Sequence, residues 1–268
     1  EEKDGKFYQT SNGLEVTMGA IESMSKSKKN VIDPEEIIKS YGSDSARWFM
    51  LSDSPPDRDI NWSDSGIQGS WRFCQKIWST ITSNLSILTD ENITLFNQDI
   101  SKNAIILLQN THQSLDAVTK SIENFQMNVG VAKIYELINH ISKFKVFVEN
   151  DKSALKASLK ILIRIIEPMV PHLAEECWNL CGNSKSLTLE PWPDVEEKYL
   201  IKDTVKIVIQ VNGKRRAEVE TKVEASEEEV MKEVEKIKSV NEQIQDSVII
   251  KKIFVPNKIL NIVISKNE

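Results

Sequence analysis

The stretch Trp71–Leu88, WRFCQKIWSTITSNLSIL, places its large apolar side chains three or four residues apart. This spacing puts them on one face of an α-helix and leaves polar residues on the other face. Three further stretches repeat the pattern and begin near Ile105, Ile134 and Leu155. Four amphipathic helices joined by short polar segments favour an antiparallel bundle, with the apolar stripe as its core.

Shorter elements precede this bundle and surround a polar loop. Asn12-Gly13 separates two short alternating stretches, which predicts a β-hairpin. Segment 19–30 is rich in Ser and Lys, so it predicts a loop. Asp33-Pro34-Glu35-Glu36 predicts a helix start with a capping box, and Gly42 predicts the end of that helix. A second helix is expected to follow, capped by one of the residues Ser43-Asp44.

The sequence changes again after the bundle. Pro191 and Pro193 lie in a stretch that predicts a linker. From Val205 apolar and polar residues alternate, and Asn212-Gly213 predicts a hairpin turn. A helix capped by Ser226 is predicted to run through Ile237, and two strands are predicted around the next turn. The order strand-strand-helix-strand-strand predicts a small α+β domain.

Together these features predict a multi-domain, mainly α chain. Residues 1–62 precede the bundle, 63–190 form it, 191–202 are a linker and 203–268 form the α+β domain. The net charge of the chain is −6, yet residues 203–268 contain 12 Lys and Arg against 12 Asp and Glu. The negative charge therefore belongs to the rest of the chain, and the tail is relatively basic, which either a solvated surface or nucleic-acid binding explains.

The composition excludes several classes of protein. No apolar run approaches the roughly 20 residues that span a bilayer, so no membrane segment is expected. The charged start Glu1–Lys6 excludes a signal peptide, and a cytoplasmic location is expected. The chain begins without Met, which suggests a piece of a longer protein.

Three cysteines leave two interpretations open. Cys177 and Cys181 would share a helix face with His172 nearby, as in a zinc site. No second pair of Cys or His residues follows, and sparse cysteines usually behave as small buried hydrophobes. We therefore expect buried thiols at Cys74, Cys177 and Cys181, and no structural metal.

The loop Ser23-Met24-Ser25-Lys26-Ser27-Lys28-Lys29-Asn30 is the segment best suited to chemistry. Its lysines can reach the phosphates of a nucleotide and neutralise the charge on a leaving pyrophosphate. Backbone N–H groups at the helix start that follows can add to this effect. Composition alone favours a solvated Lys/Ser linker instead.

Two motifs identify this loop with a known family. Met24–Ser27 followed by Lys28–Pro34, MSKS-KKNVIDP, resembles the KMSKS signature of class I aminoacyl-tRNA synthetases. Tyr41–Arg47, YGSDSAR, resembles the YGADxxR segment that follows it in the Leu, Ile, Val and Met enzymes. The resemblance implies that Lys26 stabilises the transition state, and that ATP is bound by Met24, Ser25, Lys26 and Ser27. Ser23 replaces the first lysine of the signature.

The remaining motifs resemble bacterial-type leucyl-tRNA synthetases. Ser54–Gly66 is similar to their SPxxxxxWxxSGVEG segment. Ile209–Ala217, IQVNGKRRA, and Val255–Asn261, VPNKILN, are similar to VQVNGKxRA and VPxKLLNxVV. The tail lacks the cysteine zinc site expected of the isoleucine enzyme and the charged coiled coil expected of the valine enzyme. The resemblance covers essentially the whole chain.

This resemblance implies ATP- and Mg²⁺-dependent activation of leucine and its transfer to tRNA(Leu), by a monomeric enzyme. Residues 1–62 would end the catalytic region, 63–190 would be the anticodon-binding-like bundle, and 203–268 would contact tRNA. The implied tRNA-binding residues are Lys214, Arg215, Arg216 and Lys258. A charged turn that serves solubility is the alternative for the first three, and Lys251 and Lys252 are the next candidates.

A HIGH-like motif is not found in the sequence, and the nucleotide-binding sheet, leucine pocket and editing domain lie N-terminal in the family. This chain alone is therefore expected to be inactive. Two alternatives stay open: a stand-alone RNA-binding module without catalysis, and a synthetase-like paralogue whose loop has lost its function, for which Ser23 is the only hint. We interpret His112, His140 and His172 as ordinary helical histidines.

Overall fold

A computed structural model of the chain describes residues 1–17, 19–94, 99–200, 204–245 and 247–266. A small antiparallel sheet comes first, with the strands β1 (Glu2–Lys3), β2 (Lys6–Tyr8) and β3 (Glu15–Val16). Phe7 pairs with Val16 across the Asn12-Gly13 turn, which confirms the predicted hairpin. Strand β1 was not predicted, because two exposed residues give no alternating pattern.

Two short helices follow the polar loop: α1 (Pro34–Tyr41) and α2 (Ser43–Asp53). Asp33 caps α1, but its carboxylate accepts the N–H of Glu35 at 2.9 Å, so the predicted capping box with Glu36 is wrong. Gly42, with φ of 82°, ends α1 as predicted and is also the N-cap of α2. The predicted cap of α2 by the side chain of Ser43 or Asp44 is therefore wrong.

The helical bundle confirms the mainly α architecture. Its first predicted helix is interrupted at Ser83-Asn84, whose side chains bond back to the carbonyls of Ser79 and Thr80. Helix α5 packs against both α6 and α7, and α3 packs against α6 and α8. The helices are α3 (Asp64–Thr82), α4 (Leu85–Thr89), α5 (Lys102–Glu123), α6 (Met127–Lys143), α7 (Asp151–Ile166) and α8 (Pro171–Leu180).

The apolar faces of these helices form one large core, as the spacing predicts, with a small second cluster of Ala104, Leu108 and Ala154 between α5 and α7. Helix α2 joins this core through Trp48, which is completely buried. Its ring stacks on Phe73 with centroids 5.0 Å apart, and its Nε1 donates to the hydroxyl of Tyr135 at 3.1 Å. The segment that follows the polar loop is therefore anchored in the bundle.

The segment after α8 lies along α5. Trp192 Nε1 donates to Thr119 Oγ1 at 2.9 Å, and the backbone N–H of Glu196 donates to His112 Nδ1 at 3.1 Å. The ring of Tyr199 stacks on His112 with centroids 5.0 Å apart. Burial lowers the pKa of His112, which keeps the ring neutral and able to accept this bond.

The tail forms a four-stranded sheet in the order β5-β4-β7-β6, with helices on one face. The central strands β4 and β7 are parallel, and the two outer pairs are antiparallel. The elements are β4 (Thr204–Val211), β5 (Lys214–Lys222), α9 (Glu227–Glu235), α10 (Lys238–Gln245), β6 (Ser247–Val255) and β7 (Ile259–Lys266).

Local signals in the tail are confirmed with one correction. Asn212 and Gly213 have φ of 49° and 76°, as a tight hairpin turn requires. Ser226 and Glu229 form the capping box of α9. The predicted single helix through Ile237 is wrong, because α9 ends at Glu235 and a second helix, α10, follows, with Val240 buried in the core of the tail.

Candidate functional site

The loop Ser23–Asn30, here called the signature loop, is folded back on itself around Asn30. Asn30 Oδ1 accepts the N–H of Ser25 at 2.8 Å, and its Nδ2 donates to the carbonyl of Ser23 at 3.4 Å. The N–H of Lys28 donates to the carbonyl of Ser25 at 3.2 Å. The sequence did not predict a role for Asn30, because only the fold shows that its amide closes the loop.

The lysines of this loop differ in their partners. Lys28 Nζ pairs with Glu22 Oε2 at 2.8 Å. Lys26 is exposed and forms no ion pair with any residue that the structure describes. Met24, Ser25 and Ser27, which were predicted to bind ATP, lie beside Lys26, with the two serine hydroxyls 3.2 Å apart. The geometry therefore leaves the ammonium of Lys26 available for a phosphate, while that of Lys28 is already engaged.

The segment YGSDSAR holds α2 against α8. Asp44 Oδ2 accepts the N–H of Leu173 at 2.7 Å, in the first turn of α8. Its other oxygen contacts the guanidinium of Arg47 and lies 3.1 Å from His172 Nδ1. Asp44 thus caps a helix that lies far away in sequence, and it ties the elements after the signature loop to the bundle.

The basic residues of the tail occupy two separate places. Lys214, Arg215 and Arg216 are exposed at the start of β5, and Arg215 Nη2 pairs with Glu218 Oε1 at 2.8 Å. The register aligns Lys214 with Val211, Ile262 and Lys252 across the sheet. Three strand spacings separate Lys214 from Lys252, about 14 Å.

Lys258 lies away from this row. It precedes Ile259, which pairs with Val208, whereas Ile262 pairs with Val211. Four residues along β7 separate Lys258 from Ile262, about 13 Å. The fold therefore brings Lys251 and Lys252, rather than Lys258, level with Lys214.

The structure also reveals a basic cavity of about 220 Å³ at the beginning of α5, here called the basic pocket. Lys143 and Lys145 supply positive charge, and Phe147 is 65% exposed. Carboxylates are absent from its lining, which consists of Asn103, Ile106, Leu107, Asn110, His140, Lys143, Phe144, Lys145 and Phe147. An exposed aromatic ring among cations is typical of surfaces that bind nucleic-acid strands.

The sequence does not predict this pocket, because the apolar spacing of Ile134, Leu137, Ile141, Phe144 and Val148 predicts one uninterrupted helix. Helix α6 ends at Lys143, and an extended segment follows. That segment is held by Asp151, whose completely buried carboxylate accepts the N–H of Phe147 at 3.0 Å and that of Ser101 at 2.8 Å. The signal lay in the alternation of basic and aromatic residues from His140 onward.

The cysteines lie in the bundle. Cys74 and Cys177 are buried, and Cys181 is half-buried. Burial raises the pKa of the Cys177 thiol to about 12. Within the described ranges, no group of three or more His, Cys, Asp or Glu side chains is arranged to hold a metal ion. None of the helices in those ranges is long and apolar enough to cross a membrane.

Comparison with known families gives two matches. Residues 105–255 match the anticodon-binding domain of tRNA ligase. Residues 13–63, which include the signature loop, match the class I tRNA synthetases for Ile, Leu, Met and Val.

Curated relatives named leucine–tRNA ligase match nearly the whole chain. The protein of Parvibaculum lavamentivorans is 42% identical over 94% of this chain and 29% of its own length. That of Maricaulis maris is 43% identical over 97% of this chain and 30% of its own length. The chain thus spans about 30% of the length of these relatives.

Solved structures give a similar result. The LeuRS–tRNA–LeuAMS ternary complex of Agrobacterium radiobacter K84 matches 90% of this chain and 31% of its own chain, with a TM-score of 0.69 and 27% identity. Methionyl-tRNA synthetase of Mycobacterium tuberculosis with methionyl-adenylate shares the fold over 60% of this chain, with a TM-score of 0.50 and 21% identity.

Proposed function

Because the chain belongs to the family described as the anticodon-binding domain of tRNA ligase, we propose that it forms part of a leucine–tRNA ligase. The similarity of nearly its whole length to leucine–tRNA ligases carries this proposal. The proposed reaction uses ATP to activate leucine and then transfers leucine to tRNA(Leu). A cytoplasmic location belongs to the same proposal.

The signature loop is the proposed contribution of this chain to catalysis. In leucine activation, the carboxylate of leucine attacks the α-phosphate of ATP and pyrophosphate leaves. Negative charge grows on the phosphates in this step, and a positioned cation lowers its energy. Lys26 is the proposed cation, because its ammonium is exposed and pairs with no described carboxylate, while Lys28 is bound to Glu22. Mg²⁺ bound to ATP would neutralise further phosphate charge.

The rest of the chain is proposed to hold tRNA(Leu). Residues 63–190 would be the anticodon-binding-like bundle and 203–268 a separate tRNA-contacting domain, joined by 191–202. Lys214, Arg215 and Arg216 would contact phosphates, as basic residues at an exposed turn do in RNA complexes. The basic pocket of the bundle supports the same function, because cations and an exposed ring meet there.

The purified 268-residue chain should not form leucyl-adenylate. The sequence contains the signature loop but no HIGH-like motif. The purified chain therefore lacks groups that bind ATP and leucine and orient them for reaction. Leucine-dependent exchange of labelled pyrophosphate into ATP measures this step. If the chain exchanges pyrophosphate faster with leucine than without it, the prediction that the chain alone is inactive is wrong.

Changing Lys214, Arg215 and Arg216 together to Ala should weaken tRNA(Leu) binding by the complete ligase. Each lost phosphate contact makes the dependence of log K on log salt concentration shallower by somewhat under one unit, about two units in total. Fluorescence anisotropy at several salt concentrations measures both changes. Leucine activation without tRNA should stay near that of the unchanged enzyme.

A matched control changes Lys222, Lys232 and Lys236 to Ala. This variant loses the same net charge from the same segment, but its residues lie outside the row of Lys214 and Lys252. We expect a change in salt slope well below one unit. If both triple variants show the same salt slope, the basic turn serves solubility. Lys251 and Lys252 are then the next candidates for phosphate contacts.

A further inference from the structure

The turn between α5 and α6 holds an aromatic ring at a position that favours glycine. The N–H of Gln126 donates to the carbonyl of Ser121 at 2.7 Å, and that of Phe125 to Ile122 at 3.1 Å. This pair of bonds ends a helix with one residue in the left-handed conformation, usually Gly. Phe125 occupies that position here, with φ of 55°. A side chain with a Cβ is strained in this conformation.

This strain brings no gain in packing. The ring of Phe125 is 73% exposed and lies outside the hydrophobic core. The turn itself is held firmly, because a Cβ on Gly130 would lie 2.3 Å from Ser121 Oγ, so α6 packs closely on α5. A strained residue whose side chain stabilises nothing in the fold points to a role in binding.

Phe125 borders a cavity of about 500 Å³, here called the amide pocket. That volume is within the range of ligand sites. Its walls are two segments: the turn Pro55–Arg58 after α2, and Asn124–Val129, which contains the turn between α5 and α6 and the start of α6. Asn124, Gln126 and Asn128 line the pocket; the amide of Asn124 donates to the carbonyl of Lys120 at 2.7 Å, and Asn128 Oδ1 is buried without a hydrogen-bond partner among the described residues. A buried polar atom without a partner is costly unless a ligand satisfies it.

The charged groups at the rim favour one kind of occupant. Arg58 is exposed and forms no ion pair with a described residue. Asp57 stands beside it and disfavours a phosphate inside the cavity. An apolar protein segment would leave the amides of Gln126 and Asn128 without partners. A nucleobase satisfies all of these features, because it stacks on a ring and exchanges hydrogen bonds along its edge.

We propose that the amide pocket binds one unstacked nucleotide of an RNA strand. The base stacks on Phe125 and bonds to the amides of Gln126 and Asn128, and Arg58 contacts the adjacent phosphate. This inference rests on the proposed function, since the RNA is then the tRNA substrate. The amide pocket and the basic pocket lie at opposite ends of α5, whose 22 residues span about 33 Å.

The test compares Phe125→Gly with the unchanged chain. Glycine relieves the backbone strain, so the melting temperature should stay equal or rise. Stacking of one base accounts for roughly a fivefold to hundredfold change in affinity, so binding of a tRNA(Leu) transcript should weaken within that range. The salt slope should not change, because no phosphate contact is lost. Phe125→Tyr keeps a ring and should restore most of the affinity.

Two controls make the result specific. Leu189→Ala removes another exposed apolar side chain, 79% exposed, and should leave tRNA affinity unchanged. Arg58→Ala should make the salt slope shallower by somewhat under one unit. Together with the Phe125→Gly result, these outcomes would support a base on the ring and a phosphate on the arginine.

Three outcomes would overturn the proposal. If the unchanged chain binds tRNA and Phe125→Gly binds it with the same affinity, the amide pocket does not bind a base, and the proposed function still stands. A marked fall in melting temperature would show that the ring is a packing residue. Displacement of tRNA by micromolar free AMP would assign the pocket to a free nucleotide. Failure of the unchanged chain to bind any tRNA would instead refute the proposed function from which this inference starts.

Discussion

Replacing Lys26 by Ala should slow leucine activation by the complete ligase about a hundredfold to a thousandfold. A cation that contacts the phosphates mainly in the transition state accounts for roughly 2.7–4 kcal/mol of barrier lowering. The loss should appear in kcat more than in KM. Pyrophosphate exchange at varied ATP concentrations measures both constants.

Lys28→Ala is the matched control for this experiment, since it removes the same charge from the same loop. Lys28 is paired with Glu22, so its ammonium is less available to ATP, and we expect a loss below about tenfold. Equal losses in the two variants would contradict the assignment of Lys26. A larger loss in Lys28→Ala would transfer the role to that residue.

Asp151→Ala should lower the free energy of unfolding by roughly 3 kcal/mol or more. The carboxylate accepts four hydrogen bonds, including those from the backbone of Ser101 and Phe147, and each buried donor left without a partner costs about 1–3 kcal/mol. Urea unfolding monitored by circular dichroism measures this change. As a control, Asp116→Ala removes only an i,i+4 ion pair with Lys120 on α5 and should change stability by less than about 0.5 kcal/mol.

The carboxylate of Asp151 also predicts how the stability difference between the unchanged chain and Asp151→Ala depends on pH. Burial alone would raise the pKa of Asp151, but hydrogen bonds from Ser101, Phe147 and Val148 hold the pKa below its ordinary value. Its contribution is therefore complete above the ordinary aspartate pKa of about 3.9 and is lost as the pH falls through the lower folded value. The stability gap between the unchanged chain and Asp151→Ala should narrow in strong acid. A gap that widens there would contradict this account.

Much of the fold was predictable because its signals are local. Apolar spacing identifies the bundle helices, and Ser226 with Glu229 identifies the start of α9 within four residues of sequence. Long-range partners were not predictable from such signals. Asp44 looks like the cap of its own helix, yet it bonds to Leu173, which only the packing of α2 on α8 brings near.

The candidate sites divide in the same way. The signature loop is contiguous, so its residues could be identified from the sequence, but the pairing of Lys28 with Glu22 depends on how the loop folds. Lys251 and Lys252 align with Lys214 only because β4 and β7 pair in parallel. The basic pocket joins residues of α5 with the segment after α6, which no short motif connects.

The parallel pairing of β4 with β7 also affects how the tail folds. Val208 lies beside Ile259, so the centre of the sheet forms only after a loop of about 50 residues has closed. Asn212, in the turn after β4, also holds β7 in place, because its side chain exchanges two hydrogen bonds with the backbone of Ile264. During synthesis, the β4–β5 hairpin therefore emerges from the ribosome well before its neighbour β7 exists. Pairings of such large sequence separation form slowly, so β4 and β5 should gain protection from proteases only after β7 has been made.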